Sequence, residues 1–190
     1  MQNKLTPEEQ KILLCLAREG IECAVHGQGL TPIHLATLPL SLQEEGSSFV
    51  TLTCHGQLRG CIGSLEAYQS LAEDVREHAI GAALKDPRFP PVKEDELNGL
   101  QIEISCLTQP VPLEYSDAHD LISRLRPHID GVILREGSFR RATFLPQVWE
   151  TIPNPAEFLE NLCYKMGADP DLWRRQHLDV LTYQVAEFHE

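Results

Sequence analysis

Two stretches of this chain share one layout, which confines it to folds that can be built twice. Phe49 to Cys54 and Leu58 to Ser64 are strand-like runs around His55-Gly56-Gln57, a hairpin signal. Val132 to Arg135 and Phe139 to Leu145 flank Glu136-Gly137-Ser138 in the same way. His55-Gly56-Gln57-Leu58-Arg59 lines up without gaps against Glu136-Gly137-Ser138-Phe139-Arg140. Each hairpin leads to a capped helix, and each helix runs into Asp-Pro followed by an aromatic: Asp86-Pro87-Arg88-Phe89, then Asp169-Pro170-Asp171-Leu172-Trp173. Each half then supplies another strand, Gln101 to Thr108 and Val180 to Phe188. The pattern predicts an internal duplication of a hairpin, helix and strand unit around one sheet. Chance recurrence of common turn chemistry is the competing explanation.

The remaining elements follow from capping and periodicity. Thr6-Pro7-Glu8-Glu9 opens a helix, with a capping threonine, proline at the first helical position and glutamate at the third. Ile12, Leu13, Leu16, Ala17 and Ala24 extend its stripe to about residue 24. Residues 26–48, with three glycines and two prolines, read as irregular. Ser70-Leu71-Ala72-Glu73 is a second capping box, and Leu71, Val75, His78 and Ala82 follow at helical spacing up to Asp86-Pro87. Asp117 to Leu125 reads as a short helix, and Asn154-Pro155-Ala156-Glu157 caps another running to about Met166.

Composition removes several functions. The 190 residues suit one domain, with approximate halves 1–110 and 111–190. Lys plus Arg total 16 against 28 Asp plus Glu, and the resulting charge of -12 disfavours a general nucleic-acid binder. No apolar run reaches the ~18 residues of a membrane helix. Met1 to Gln10 is polar and acidic without a signal-peptide core, so a soluble cytoplasmic protein is expected. The six cysteines include no CxxC pair, and Cys15, Cys23, Cys106 and Cys163 lie in apolar stretches, as buried free thiols do. Neither disulfides nor a structural zinc site is expected.

Leu58-Arg59-Gly60-Cys61-Ile62-Gly63 is the most informative segment. A two-residue turn at His55-Gly56 would put Val50 and Leu52 on the face of Arg59 and Cys61. A three-residue turn instead joins Val50, Leu52 and Cys54 to Leu58 and Ile62, and this coherent apolar face favours it. Arg59 and Cys61 then share the non-core face with Thr51 and Thr53. A guanidinium two residues from a thiol favours thiolate and lowers its pKa. Gly60 and Gly63 suit close approach of a ligand or another backbone. In the gap-free duplication Cys61 aligns with Ala142 and Gly60 with Arg141, so the thiol belongs to one half. The plainer alternative makes Cys61 a core filler and the glycines markers of a bulge.

Other candidates divide between chemistry and structure. His55 at the hairpin tip and Glu66 after the second strand are possible general bases for Cys61, though the turn histidine lies far along the strand. Cys54 and Cys61 fall on opposite faces, so no shared metal is expected, and His26 and His34 read as surface histidines. Lys85 and Arg88 follow a helix C-terminus, where the dipole stabilises positive charge. They also form a possible anion-binding edge, with Arg140-Arg141 as a second basic patch. The chain has no Walker loop, GxGxxG, HExxH or CxxxCxxC motif, so no cofactor and no metal is assigned.

Leu58 to Gly63 resembles the hallmark hexapeptide of the AMMECR-type domain family, the AmmeMemoRadiSam system protein A. The similarity continues through Ala83-Leu84-Lys85-Asp86-Pro87-Arg88-Phe89-Pro90-Pro91-Val92, Asp130-Gly131-Val132, Ala142-Thr143-Phe144-Leu145-Pro146-Gln147-Val148 and Phe158-Leu159-Glu160-Asn161-Leu162-Cys163-Tyr164-Lys165. The resemblance implies an α+β fold with a single curved or barrel-like, mainly antiparallel sheet and flanking helices. It implies association with a Memo-like protein and a radical-SAM protein, but no particular reaction. Three readings follow. The first is a thiol-dependent enzyme or accessory in redox or cofactor chemistry: Cys61 is nucleophile or redox thiol, Arg59 its electrostatic partner, Gly60 and Gly63 the room for substrate, and Lys85 and Arg88 the anion edge. The second is a non-catalytic protein-binding module, and the third an RNA- or translation-associated binder.

Overall fold

The computed structural model describes residues 5–190; the first four residues of the polar stretch Met1 to Gln10 lie outside the described residues. The capping box at Thr6 is made, and α1 (Pro7–Val25) buries Leu13, Ala17 and Ile21 along one stripe. The stretch expected to be irregular holds a 3-10 turn at Leu35–Thr37, the short α2 (Leu40–Gln43) and the start of β1 (Glu45–Cys54). Next come β2 (Gln57–Gly63), β3 (Gln69–Ser70), α3 (Leu71–Leu84), a 3-10 segment at Glu94–Gly99 and β4 (Leu100–Leu107). The rest of the chain forms β5 (Val111–Pro112), α4 (Ala118–Arg124), β6 (Gly131–Glu136), β7 (Arg140–Phe144), α5 (Val148–Thr151), α6 (Pro155–Lys165), α7 (Leu172–Arg175), β8 (Asp179–Tyr183) and β9 (Val185–His189).

The chain divides into two compact units. The first runs to Leu107 and takes back Ala186–Glu190; the second is Thr108–Val185. In the first, strands lie in the order β2-β1-β4-β9, with β3 paired to the start of β1. In the second the order is β5-β8-β6-β7. The α+β class, with antiparallel strands and flanking helices, is as the sequence predicts. The strands belong to two sheets, however, where a single curved or barrel-like sheet was expected. The reason is burial: each sheet has its own helices and its own apolar core. Val50, Leu52, Ile102 and Ile104 pack with Val75, Ala79 and Ala82 of α3 and with the α1 stripe. Val132, Leu134 and Val180 pack instead with Trp149, Phe158, Leu159 and Leu162. The predicted last strand is split at Gln184, so β8 serves one sheet and β9 the other.

The repeat is visible in the topology. In each unit the first hairpin strand is flanked by its hairpin partner and by the strand that follows the helix: β2-β1-β4 and β7-β6-β8. Strand pairing shifts the residue correspondence by one from the gap-free alignment. Gly60 sits opposite the core residue Leu52, as Ala142 sits opposite the core residue Leu134. Gly60 therefore corresponds to Ala142, and Cys61 to Thr143.

Candidate functional site

The site begins with the β1-β2 hairpin. His55 (φ 51°) and Gly56 (φ 74°) both adopt the left-handed conformation, and Cys54 pairs with Gln57. This is a two-residue turn of the primed type, whose twist matches the strands it joins. The three-residue turn expected from the sequence is absent. The extra residue is Arg59, placed in a bulge between the pairs Thr53–Leu58 and Leu52–Gly60. The bulge restores the coherent apolar face by another route: Val50 meets Ile62 and Leu52 meets Gly60. Leu58 is thereby moved off that face, opposite Thr53, and is 45% exposed.

On the face turned away from the helices, side chains form rows across three strands. One row is Cys61, Thr51 and Glu103; the rows beside it are Leu58, Thr53 and Gln101, and Gly63, Phe49 and Ser105. Cys61 thus shares a polar face with Thr51 and Thr53, as the strand alternation predicts. It is half-buried, and the Thr51 hydroxyl donates to its sulfur at 3.3 Å.

The two glycines do other work than the sequence suggests. A Cβ at Gly60 would lie 2.1 Å from the Ala82 carbonyl oxygen of α3, so this glycine admits the helix rather than a ligand. A Cβ at Gly63 would lie 2.4 Å from the Phe49 ring, which fills that space.

Arg59 is likewise committed elsewhere. Its guanidinium grips Glu96 through Nε and Nη2 at 2.7 and 3.0 Å and donates to the carbonyls of Pro90 and Pro91 at 2.8 and 3.3 Å. It latches the proline segment and the following 3-10 turn to β2, which commits four of its five N–H donors within the protein. The cation beside Cys61 is Arg88. Asp86, 4% exposed, accepts from the Cys61 backbone N–H at 2.8 Å and from Arg88 Nη2 at 2.7 Å, while Arg88 Nη2 donates to the Cys61 carbonyl at 3.4 Å. On this edge strand the Asp86-Arg88 pair occupies the backbone groups of Cys61 that a neighbouring strand would otherwise take. The Arg88 hydrogen bonds, and then the Cys61 N–H, hold the Asp86 carboxyl well below the usual carboxylate range. The Arg88 guanidinium is stabilised first by Asp86 and to a lesser degree by the Cys61 thiol.

Lys85 caps the end of α3 and is exposed. His55 stays at the turn, roughly 13 Å along the strand from the Cys61 row, its ring beside Gly99. Arg140 pairs with Glu136 across its own hairpin. Among the described residues, no three His, Cys, Asp or Glu side chains converge as metal ligands.

The Arg59 latch gives an acid prediction. Hydrogen bonding from Arg59, reinforced by the Lys93 N–H, holds the Glu96 carboxyl down at about 2, against 4.5 for an ordinary glutamate. A depressed carboxyl contributes stability that is complete above its unfolded value and is lost as pH falls through its folded one. The latch should therefore release between 4.5 and about 2. Carbon-13 titration of the Glu96 carboxyl should show its inflection near the lower value in the wild type and higher in Arg59→Gln. A wild-type inflection at 4.5 would mean that Arg59 is no latch.

Asp86, Glu96, Glu103 and a buried cluster behind the sheet escape a reading of the sequence. Asp86 reads there as helix-stop chemistry and Glu96 as one more acid in a polar turn. Glu103 is a polar residue on an alternating strand, and only its row with Cys61 marks it. Behind the sheet, Ser48 donates to Asp74 at 2.6 Å, and Asp74 lies 3.1 Å from His78 Nδ1, all buried. His78 in an otherwise apolar helical stripe is the one signal that could have revealed this cluster.

These features define a two-unit α+β protein that carries a clamped, half-buried thiol on the polar face of its first sheet. The chain belongs to the AMMECR1 family, whose model matches residues 14–188. It is similar to a protein of Methanothermobacter thermautotrophicus, with 39% identity covering 98% of this chain and 96% of that one. It is also similar to a protein of Thermofilum pendens, with 35% identity covering 98% and 92%. Among solved structures it resembles the uncharacterized protein PH0010 of Pyrococcus horikoshii, with a TM-score of 0.82 and 33% identity over 99% of this chain and 94% of that one.

Proposed function

We propose that the protein is a thiol-dependent enzyme, or an accessory to redox or cofactor chemistry, with Cys61 as its nucleophilic or redox thiol. The observation that carries this reading is the clamp: Asp86 and Arg88 hold the Cys61 backbone on the outer edge of β2 while Thr51 Oγ1 orients the sulfur. A guanidinium beside a sulfur stabilises negative charge as it develops there. Arg88 takes the role that the sequence suggested for Arg59. Its side chain is 55% exposed, so it keeps one edge toward an anionic substrate group. Gly60 and Gly63 serve by letting α3 and Phe49 fix the strand. The Memo-like and radical-SAM proteins implied by the family resemblance are the partners proposed for this chemistry.

Alkylation with iodoacetamide, mapped by mass spectrometry, tests the reading. Cys61 should react several-fold faster than the exposed Cys15, and Arg88→Gln should slow Cys61 without slowing Cys15. Cys106 and Cys163, both buried, should stay unmodified until the protein unfolds. A folded protein in which Cys61 reacts no faster than Cys15 would overturn the proposal.

A further inference from the structure

We propose that Glu103 is the acid–base group of the Cys61 site, acting on a substrate that lies over Thr51 with one end at the thiol and the other at the carboxyl. The inference rests on the thiol reading above and extends it to a second residue. Register supplies the geometry. Thr51 pairs with Cys61 on one side and Glu103 on the other, so the strands bearing sulfur and carboxyl lie roughly 10 Å apart. That span suits a small polar molecule held between the two groups rather than direct proton exchange between them. A cavity of about 250 Å³ opens beside Glu103 toward β9, lined also by Thr53, Gln101, Ile102, His189 and Glu190, so the carboxyl borders open space, and Thr51 and Cys61 lie outside that cavity's lining.

The carboxyl is suited to the role by its surroundings. Glu103 is half-buried, and burial first, then the charge of Glu187, raise it above the ordinary carboxylate value, with His189 opposing. Glu187 and His189 are the charged groups that face it from β9, whereas β1 offers the hydroxyls of Thr51 and Thr53. A carboxyl raised above its ordinary value is a stronger base than a free glutamate and so better suited to take up a proton. The step moves one proton only: the carboxylate takes it from a donor atom of the substrate and returns it to the same molecule, with no change in oxidation state.

Two alkylating probes test this without knowledge of the substrate. The rate of Cys61 modification by anionic iodoacetate is divided by that for neutral iodoacetamide, across about pH 4.5 to 8. As Glu103 ionises, this ratio should fall roughly threefold or more, because a charge placed several ångströms from the reagent repels only the anion. Glu103→Gln, which preserves size, should flatten the profile. A ratio unchanged by that substitution, with Cys61 still reactive, overturns the role of Glu103 and leaves the thiol reading standing. If Cys61 is inert to both reagents, the thiol reading fails and this inference falls with it. Should the variant not fold, carbon-13 titration of Glu103 in the wild type decides: an inflection at or below 4.5 overturns the inference.

Discussion

Replacing Gly60 with alanine is expected to destabilise the first unit by roughly 3 kcal/mol, at the upper end of what overpacking usually costs. The added Cβ would lie 2.1 Å from the Ala82 carbonyl oxygen and 3.0 Å from its carbon. Both are helix backbone, so no rotamer change relieves the clash; β2 or α3 has to move. The helix cannot retreat freely, because Val75, Ala79 and Ala82 on the same side are buried against the sheet. For a protein of this size the loss corresponds to roughly 6–12 °C in the thermal midpoint. Gly29→Ala is the control, since nothing lies within 4 Å of a Cβ there. Thermal unfolding followed by circular dichroism reads both variants. Equal midpoints for the two would show that the helix does not rest on Gly60. The consequence reaches the proposed site, because moving β2 displaces Cys61, the next residue, from its contacts with Asp86 and Arg88.

Asp74→Ala is expected to cost about 2–4 kcal/mol, or roughly 5–15 °C, for a different reason. Asp74 is fully buried in the first turn of α3, where the helix dipole favours its charge. It accepts from the Ser48 hydroxyl and faces the Nδ1 of His78, themselves 0% and 6% exposed. Removing the carboxyl leaves the buried Ser48 hydroxyl and His78 ring with only their long 3.4 Å contact to each other, which is costlier than losing an exposed hydrogen bond. Its negative charge also adds to the burial that pushes the neighbouring Cys106 thiol up to about 12. Asp74→Asn keeps the shape and one acceptor and should cost less than half as much. An alanine midpoint within about 2 °C of the wild type would remove the cluster from the account of stability.

How far the molecule could be read in advance depended on the range of the interactions. The Thr6 capping box, the Ser70 side-chain cap of α3, α3 ending before Asp86, the two hairpins and the placement of Cys61 with Thr51 and Thr53 rest on neighbours within a few residues. The turn length is not legible in the sequence, because an apolar face can be kept coherent in two ways. A longer turn and a short turn with a bulge give the same parity, and only the pairing of Leu52 with Gly60 distinguishes them. Strand alternation alone puts Arg59 near Cys61. In the bulge it faces Glu96, 37 residues on, and two proline carbonyls.

The sequence by itself determined the longer helices and most of the hairpin strands, the repeat of hairpin, helix and strand, and the single thiol-bearing copy of it. Capping, turn chemistry and alternation are local, and they act before any packing exists. Tertiary structure alone decided that the repeat builds two sheets, that the last strand is shared between them, and that Gly60 faces a helix. It also decided that Arg88, with Asp86, is the cation at Cys61, and that Glu103 stands in its row. Each of these depends on which distant surfaces bury one another and on which charges are left to satisfy a strand edge. Neither is written in the spacing of residues along the chain.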